Sequence, residues 1–225
     1  MTEAPPPLFD VEVVRSLTVP TVGTMVPSAP TVVLGSTQHE ADLDDRAIIR
    51  DGVSVRRRRG GGGAVLLRPD DCWVELWLPA TSPTERGDVR STAYRVGGWW
   101  EVALAGLGVS AETHRGGLRD AEQGAVACFA GLGPGELTVA GRKLVGLSQW
   151  RGRQGALVSS VVTARLPGEL STYLTSGAAR VPQLKLATCL DEVLPGVGAE
   201  RVADAFCRAV FASLPMLRQE TRPFS

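Results

Sequence analysis

Apolar positions in this chain come first in short runs with strand character, then at helical spacing, then in runs again, and finally at helical spacing to the end. "TVVLGS" (31–36) is a β-branched run closed by glycine and predicts a strand. "TQHEADLDDRAIIRDG" (37–52) predicts a loop or short helix ending at Gly52. The chain then extends through "VSVRRRR", and "GAVLLRP" with "CWVELWLPA" (72–80) predicts two strands joined at "RPDD". Alternation in the second places Trp73, Glu75 and Trp77 on one face and Val74, Leu76 and Leu78 on the other.

Over 88–107, Val89, Ala93, Val96, Trp100, Ala103, Leu104 and Leu107 follow helical spacing, interrupted by Gly97-Gly98. "AVACFA" (125–130) predicts a strand, and "ELTVAGRKLVGLSQWR" (136–151) a hairpin turning at "AGR". "ALVSSVVTARL" (156–166) continues the β pattern, and helices are predicted at 183–194 and 199–214, where Val202, Phe206 and Val210 recur every fourth residue. Strands with one helix between them and helices at the end indicate an α+β fold, with a mostly antiparallel sheet and flanking helices. A single domain over 1–225 is expected, with a proline-rich, extended or frayed 1–10 and C-terminal helices over 183–225.

Composition narrows the chemistry. With 225 residues, 44% of them apolar, and no net charge, the chain can bury a real core. It shows no apolar run of membrane-spanning length and no basic-then-apolar leader, so no membrane association and a cytoplasmic location are expected. Cys72, Cys128, Cys189 and Cys207 are scattered, and His39 and His114 are the only histidines, which argues against a metal site, a disulfide framework and a serine–histidine triad. Only Lys143 and Lys185 among the 24 basic residues are lysines. Lysine is a compact point charge suited to one tight anion or carbonyl site, so Lys143 in "AGRKLVG" is a candidate catalytic residue.

"VRRRRGGGGAVLL" (55–67) sets four arginines against four glycines. In an extended chain Arg56 and Arg58 share one face and Arg57 and Arg59 the other, so at most two converge on one ligand. Like charges about 4 Å apart repel by roughly 4 kcal/mol at an effective dielectric near 20, which a bound phosphate or carboxylate would relieve. The glycines that follow can turn backbone N–H groups into one concavity, and fork plus nest suggests anion binding. The bland reading is an arginine-studded edge strand. Nucleic-acid binding is disfavoured by the neutral chain and the lack of interleaved aromatics.

"RRRRGGGGAVL" followed by "GRKLVGLSQ" resembles the biotin/lipoate protein ligase family, with its R-R-x-x-G-G-G-A-V loop and G-R-K hairpin, over roughly residues 30–165. The resemblance implies an α+β fold related to class II aminoacyl-tRNA synthetases. It implies a lipoate–protein ligase-like enzyme attaching lipoic or octanoic acid, through an acyl-adenylate made with ATP and Mg2+, to a lysine of a 2-oxoacid dehydrogenase lipoyl domain or of the glycine-cleavage H protein. By that resemblance Arg57 and Arg58 match the paired arginines, Gly61, Gly62, Gly63, Ala64 and Val65 the substrate loop, and Lys143 the lysine that polarises the acyl carbonyl or holds phosphate. Leu67 and Arg68 stand where the family has a histidine and an aspartate, and "GPGE" replaces R-N-D, leaving Glu136 as the acidic equivalent.

Cys128 in "ACFAGLGPGE" resembles the nucleophile of cysteine octanoyltransferases, which take octanoate from an acyl carrier protein and hold it as a thioester. The same cysteine reads equally as an ordinary core residue. A non-catalytic acyl- or nucleotide-binding relative is a third alternative. Arg151 and Arg153 in "QWRGRQG" are read as strand-end charges, and His114 as a surface residue.

Overall fold

The structure is a computed structural model describing residues 11–80, 87–175, 186–214 and 218–224. Its elements in chain order are α1 (Val11–Ser16), β1 (Thr21–Pro27), β2 (Thr31–Leu34), α2 (Asp45–Asp51), β3 (Ser54–Arg57), β4 (Val65–Leu67), β5 (Cys72–Pro79), α3 (Val89–Ala105) and β6 (Glu112–Thr113). They continue with α4 (Ala121–Val126), β7 (Leu137–Val139), β8 (Arg142–Gly152), β9 (Gly155–Val162), α5 (Leu190–Val193), α6 (Ala199–Ser213) and β10 (Arg218–Phe224). The fold is α+β. The main sheet has the order β10-β1-β5-β9-β8-β7-β6, antiparallel throughout except that β10 lies parallel to β1. A small sheet, β3-β2-β4, packs beside it.

The alternation read in β5 separates two cores. Val74, Leu76 and Leu78 face α3 and α6, whose Trp100 and Phe206 rings stack at 4.3 Å. Trp73 turns the other way, against Val33 and Val65 of the small sheet, Phe129 and Val161. Because both faces are covered, every residue of β5 is buried. Among the described residues no helix is long and apolar enough to cross a membrane.

Three elements differ from the sequence pattern. "AVACFA" is not a strand: α4 ends at Val126, Ala127 is extended, and Cys128–Ala130 form a 3-10 turn. This segment still bonds to the sheet edge through its backbone, Gly63 N–H to Gly124 O and Cys128 N–H to Ala64 O, both 2.9 Å. The approach is close enough that a Cβ on Gly63 would lie 2.5 Å from the Gly124 oxygen. Gly97-Gly98 does not break α3, because Gly97 lets the helix pass against the 133–135 backbone; a Cβ there would lie 2.5 Å from Gly135 O. Among the described residues the C-terminal region is helical in α5 and α6 before β10 joins the sheet. Residues 1–10 and the start of the 183–194 prediction lie outside the described residues.

Candidate active site

The arginine–glycine stretch, the 118–136 region and β8 converge on a cavity of about 390 Å³, lined among others by Arg58, Gly62, Gly63, Cys128, Glu136 and Lys143. Lys143 is 2% exposed on β8. Its ammonium donates to Cys128 O at 2.5 Å and Gly131 O at 3.0 Å, and pairs with Glu136 Oε2 at 2.7 Å. Three protons thus meet three acceptors. Burial alone would push the Lys143 pKa down, but Cys128 and Glu136 outweigh it and hold the group above its ordinary value, so the lysine is a cation.

Glu136 is equally committed. Besides Lys143, it accepts from Gly133 N–H at 2.6 Å and Leu147 N–H at 2.9 Å. Among the described residues it is the one carboxylate lining the cavity. Oε2 takes both the Lys143 ammonium and the Gly133 N–H, Oε1 takes the Leu147 N–H alone, and among the described residues no cluster of three or more His, Cys, Asp or Glu could hold a metal.

Arg58 is 4% exposed and points into the protein. Its guanidinium donates to Ser148 Oγ (3.1 Å), Val33 O (3.3 Å), Gly61 O and Gly63 O (both 2.8 Å). Burial pulls its pKa down, partly offset by Cys128 and Glu136. Its fork therefore gathers the carbonyls of the glycine loop, while Gly62 and Gly63 present backbone to the cavity. Arg57 is exposed and spans Gly35 O at 3.0 Å, Gln38 O and Glu40, so the paired arginines do not converge on one ligand. Ala64 and Val65 lie behind the loop in two apolar clusters apart from the main core, away from the main cavity. Of the seven loop positions singled out in the sequence, only Arg58, Gly62 and Gly63 line it.

Cys128 is half-buried, and its Sγ lies 3.9 Å from Lys143 Nζ. Gly146 faces the thiol; a Cβ there would lie 2.8 Å from the sulfur. Cys128 lines both this cavity and a smaller one beside it, whereas Cys72, Cys189 and Cys207 are buried. All four are free thiols. Arg119 is the third cation at the cavity, and it is exposed.

Other candidates fall elsewhere. Arg68 is buried, 2.8 Å from Glu169 and 4.0 Å from Asp71, and does not line the cavity. His114 contacts Gly117 O at 2.8 Å, outside the cavity lining. Arg151 donates to Thr92 Oγ1 and Gly87 O, tying β8 to the start of α3. The sequence pattern did not single out Ser148, Leu118 or Gly146; Ser148 and Gly146 sit in "GLSQ", where hairpin spacing alone assigns them no role.

The model of the lipoyl protein ligase A/B catalytic domain matches residues 11–211. No curated protein matches the sequence. Among solved structures, protein Ta0514 from Thermoplasma acidophilum with bound lipoic acid is 17% identical, with a TM-score of 0.69 over 95% of this chain and 81% of that one. A bipartite lipoate protein ligase from the same organism, described with its E2 lipoyl domain, is also 17% identical (TM-score 0.69, covering 95% and 79%). A lipoate-protein ligase A bound with ATP is 16% identical (TM-score 0.68, covering 92% and 76%).

Proposed function

The chain belongs to the lipoyl protein ligase A/B catalytic domain family, of ligases and lipoyl transferases, and on that premise we propose that Cys128 carries a medium-chain acyl group to a lysine of a lipoyl domain. One observation carries the choice of route: Cys128 Sγ stands at the cavity wall 3.9 Å from a buried lysine cation, with a bare glycine backbone opposite it. The Cys128 thiolate attacks the carbonyl carbon of an acyl thioester, such as an acyl carrier protein's. A new C–S bond forms, the carrier sulfur leaves, and it takes up a proton. A neutral lysine amine of the acceptor then attacks the enzyme thioester, forming the amide, losing a proton to solvent and returning the Cys128 thiolate. Negative charge develops on the carbonyl oxygen in both steps, and Lys143 is the fixed positive charge beside it.

The ATP-dependent ligase is the second reading, favoured by the fold shared with an ATP-bound relative. Arg58 and Lys143 spend their donors on protein acceptors, leaving Arg119 as the cation free to meet phosphate among the described lining residues. In that reading Glu136 Oε1, which accepts from Leu147 N–H alone, is the carboxylate oxygen with a lone pair left for Mg2+.

The intact mass of an unmodified lipoyl domain separates the readings. Incubation with octanoyl carrier protein and no ATP should modify the acceptor, and wild-type enzyme without acceptor should gain one acyl mass that Cys128→Ser lacks. Modification only from lipoate or octanoate plus ATP, undiminished in Cys128→Ser, would establish the ligase instead.

A further inference from the structure

Arg119 is the one cation at the cavity that the protein itself does not use. Lys143 and Arg58 hold protein acceptors. Arg119 is exposed and, among the described residues, its side chain has no hydrogen-bond or ion-pair partner, not even Asp120 or Glu122 beside it. Its backbone is nonetheless fixed. Arg119 N–H donates to Leu132 O at 2.9 Å, and Arg119 O accepts from Leu132 N–H at 3.1 Å. Gly131 permits this approach, since a Cβ there would lie 3.2 Å from Arg119 O, and Asp120 then turns the chain away at φ 51°. Gly131 O accepts from Lys143, whose ammonium stands 3.9 Å from the Cys128 thiol, so Arg119 leaves the protein close to the reacting sulfur.

The mouth around it is apolar. Leu118 is 72% exposed and Val89 58%, yet both line the cavity, and they are two of only five large apolar side chains that the described residues expose. They come from different walls, Leu118 from the segment before α4 and Val89 from the first turn of α3. Exposed apolar surface beside a cavity marks where a ligand or partner covers it. A ligand that runs outward from the thiol therefore crosses an apolar collar and meets an uncommitted guanidinium.

The acyl-transfer steps need a donor whose sulfur reaches Cys128 and whose remainder extends to solvent. Resting on that reading, we infer that Arg119 binds the phosphate of a pantetheine-type arm, the chain that joins a thioester sulfur to a phosphodiester on acyl carriers. Leu118 and Val89 pack against the methylene and methyl groups of the arm. About thirteen bonds separate sulfur from phosphorus in such an arm, about 16 Å when extended at ordinary C–C lengths, which is long enough to join a buried thiol to the cavity rim. A guanidinium fork matches phosphate in shape and charge, while solvent exposure limits the gain to several-fold.

The rate of Cys128 acylation, followed by intact mass without acceptor, tests this with octanoyl-4′-phosphopantetheine and octanoyl-pantetheine, which differ only in the phosphate. Wild type should use the phosphorylated donor about fivefold better, through a lower half-saturating concentration, and the advantage should shrink as salt is raised. Arg119→Ala should bring the two donors to the same efficiency and Arg119→Glu should invert their order. Arg90→Ala, which removes an exposed arginine of α3 outside the cavity lining, should keep the wild-type preference. Equal use of both donors by wild type, a preference that survives in Arg119→Ala, or one lost equally in Arg90→Ala would overturn the inference and leave the transferase reading intact. So would a calorimetric loss of ATP binding in Arg119→Ala with the donor preference unchanged, which would assign the arginine to a nucleotide phosphate. Acylation from neither donor would remove the transferase reading and this inference with it.

Discussion

At the residue scale, lysine scarcity directed attention to Lys143, and the structure places it in the cavity wall, but its geometry adds a role that composition did not suggest. The ammonium holds the 3-10 turn through Cys128 O and Gly131 O, and so fixes the thiol's own backbone while standing beside its sulfur. Arginine cannot reproduce this, because a planar fork does not direct three short donors from one point. Lys143→Met is expected to lower transfer to a lipoyl domain by about 10²-fold or more, with Lys143→Arg failing to restore it and both variants retaining the wild-type circular dichroism. Near-normal rates in either variant, read from acceptor mass against time, would remove Lys143 from the chemistry. Arg58 was legible only as a charge. Whether an arginine's fork faces a ligand or its own loop depends on the carbonyls that surround it, and Val33, Gly61 and Gly63 reach it only once β2 and the glycine loop are in place.

At the element scale, strands with strict alternation and turns with their own chemistry were legible: β2, β5, β8 and β9 follow the apolar pattern, and Gly52 closes α2. The 125–130 segment misled because a run of small and apolar residues is the same in a buried helix end as in a strand, and the deciding contact, Gly63 against Gly124, is distant in sequence. The β7–β8 hairpin that carries Lys143 turns at Ala140 and Gly141, both at positive φ (50° and 76°). A two-residue turn with both positions left-handed favours Asn-Gly, and alanine is strained there. Ala140→Asn should therefore stabilise the protein by about 1 kcal/mol, measured as a higher urea midpoint with an unchanged denaturant slope; a lower midpoint would contradict the turn assignment.

At the scale of the whole molecule, the sheet's outer edge was the least legible part. β10 adds to β1 in parallel from the far end of the chain, and nothing local in either segment announces a partner so distant in sequence. The burial of Glu75 is likewise a product of assembly. Glu75 reads as one face of an alternating strand, yet it becomes fully buried because the small sheet and the 3-10 turn cover that face. This has a consequence for stability against pH. Burial raises the folded-state value of Glu75 from 4.5 to about 7 and that of Asp71 from 3.8 to about 6, the latter despite hydrogen bonds from Ala164 and Arg68 N–H groups. Between the unfolded and folded values the native state binds more protons than the unfolded one, so stability declines as pH rises through that window. Exposed carboxylates held low by partners, such as Glu192 beside Arg142, act in the opposite sense and only below about pH 4.5. Unfolding free energy should therefore fall from pH 4.5 to pH 7, Glu75 contributing on the order of 3 kcal/mol. Glu75→Gln, which cannot ionise, should flatten the decline to what Asp71 alone supplies. Denaturant titrations of both proteins at half-unit pH steps measure this difference, and parallel curves would show that Glu75 is not held protonated by its surroundings.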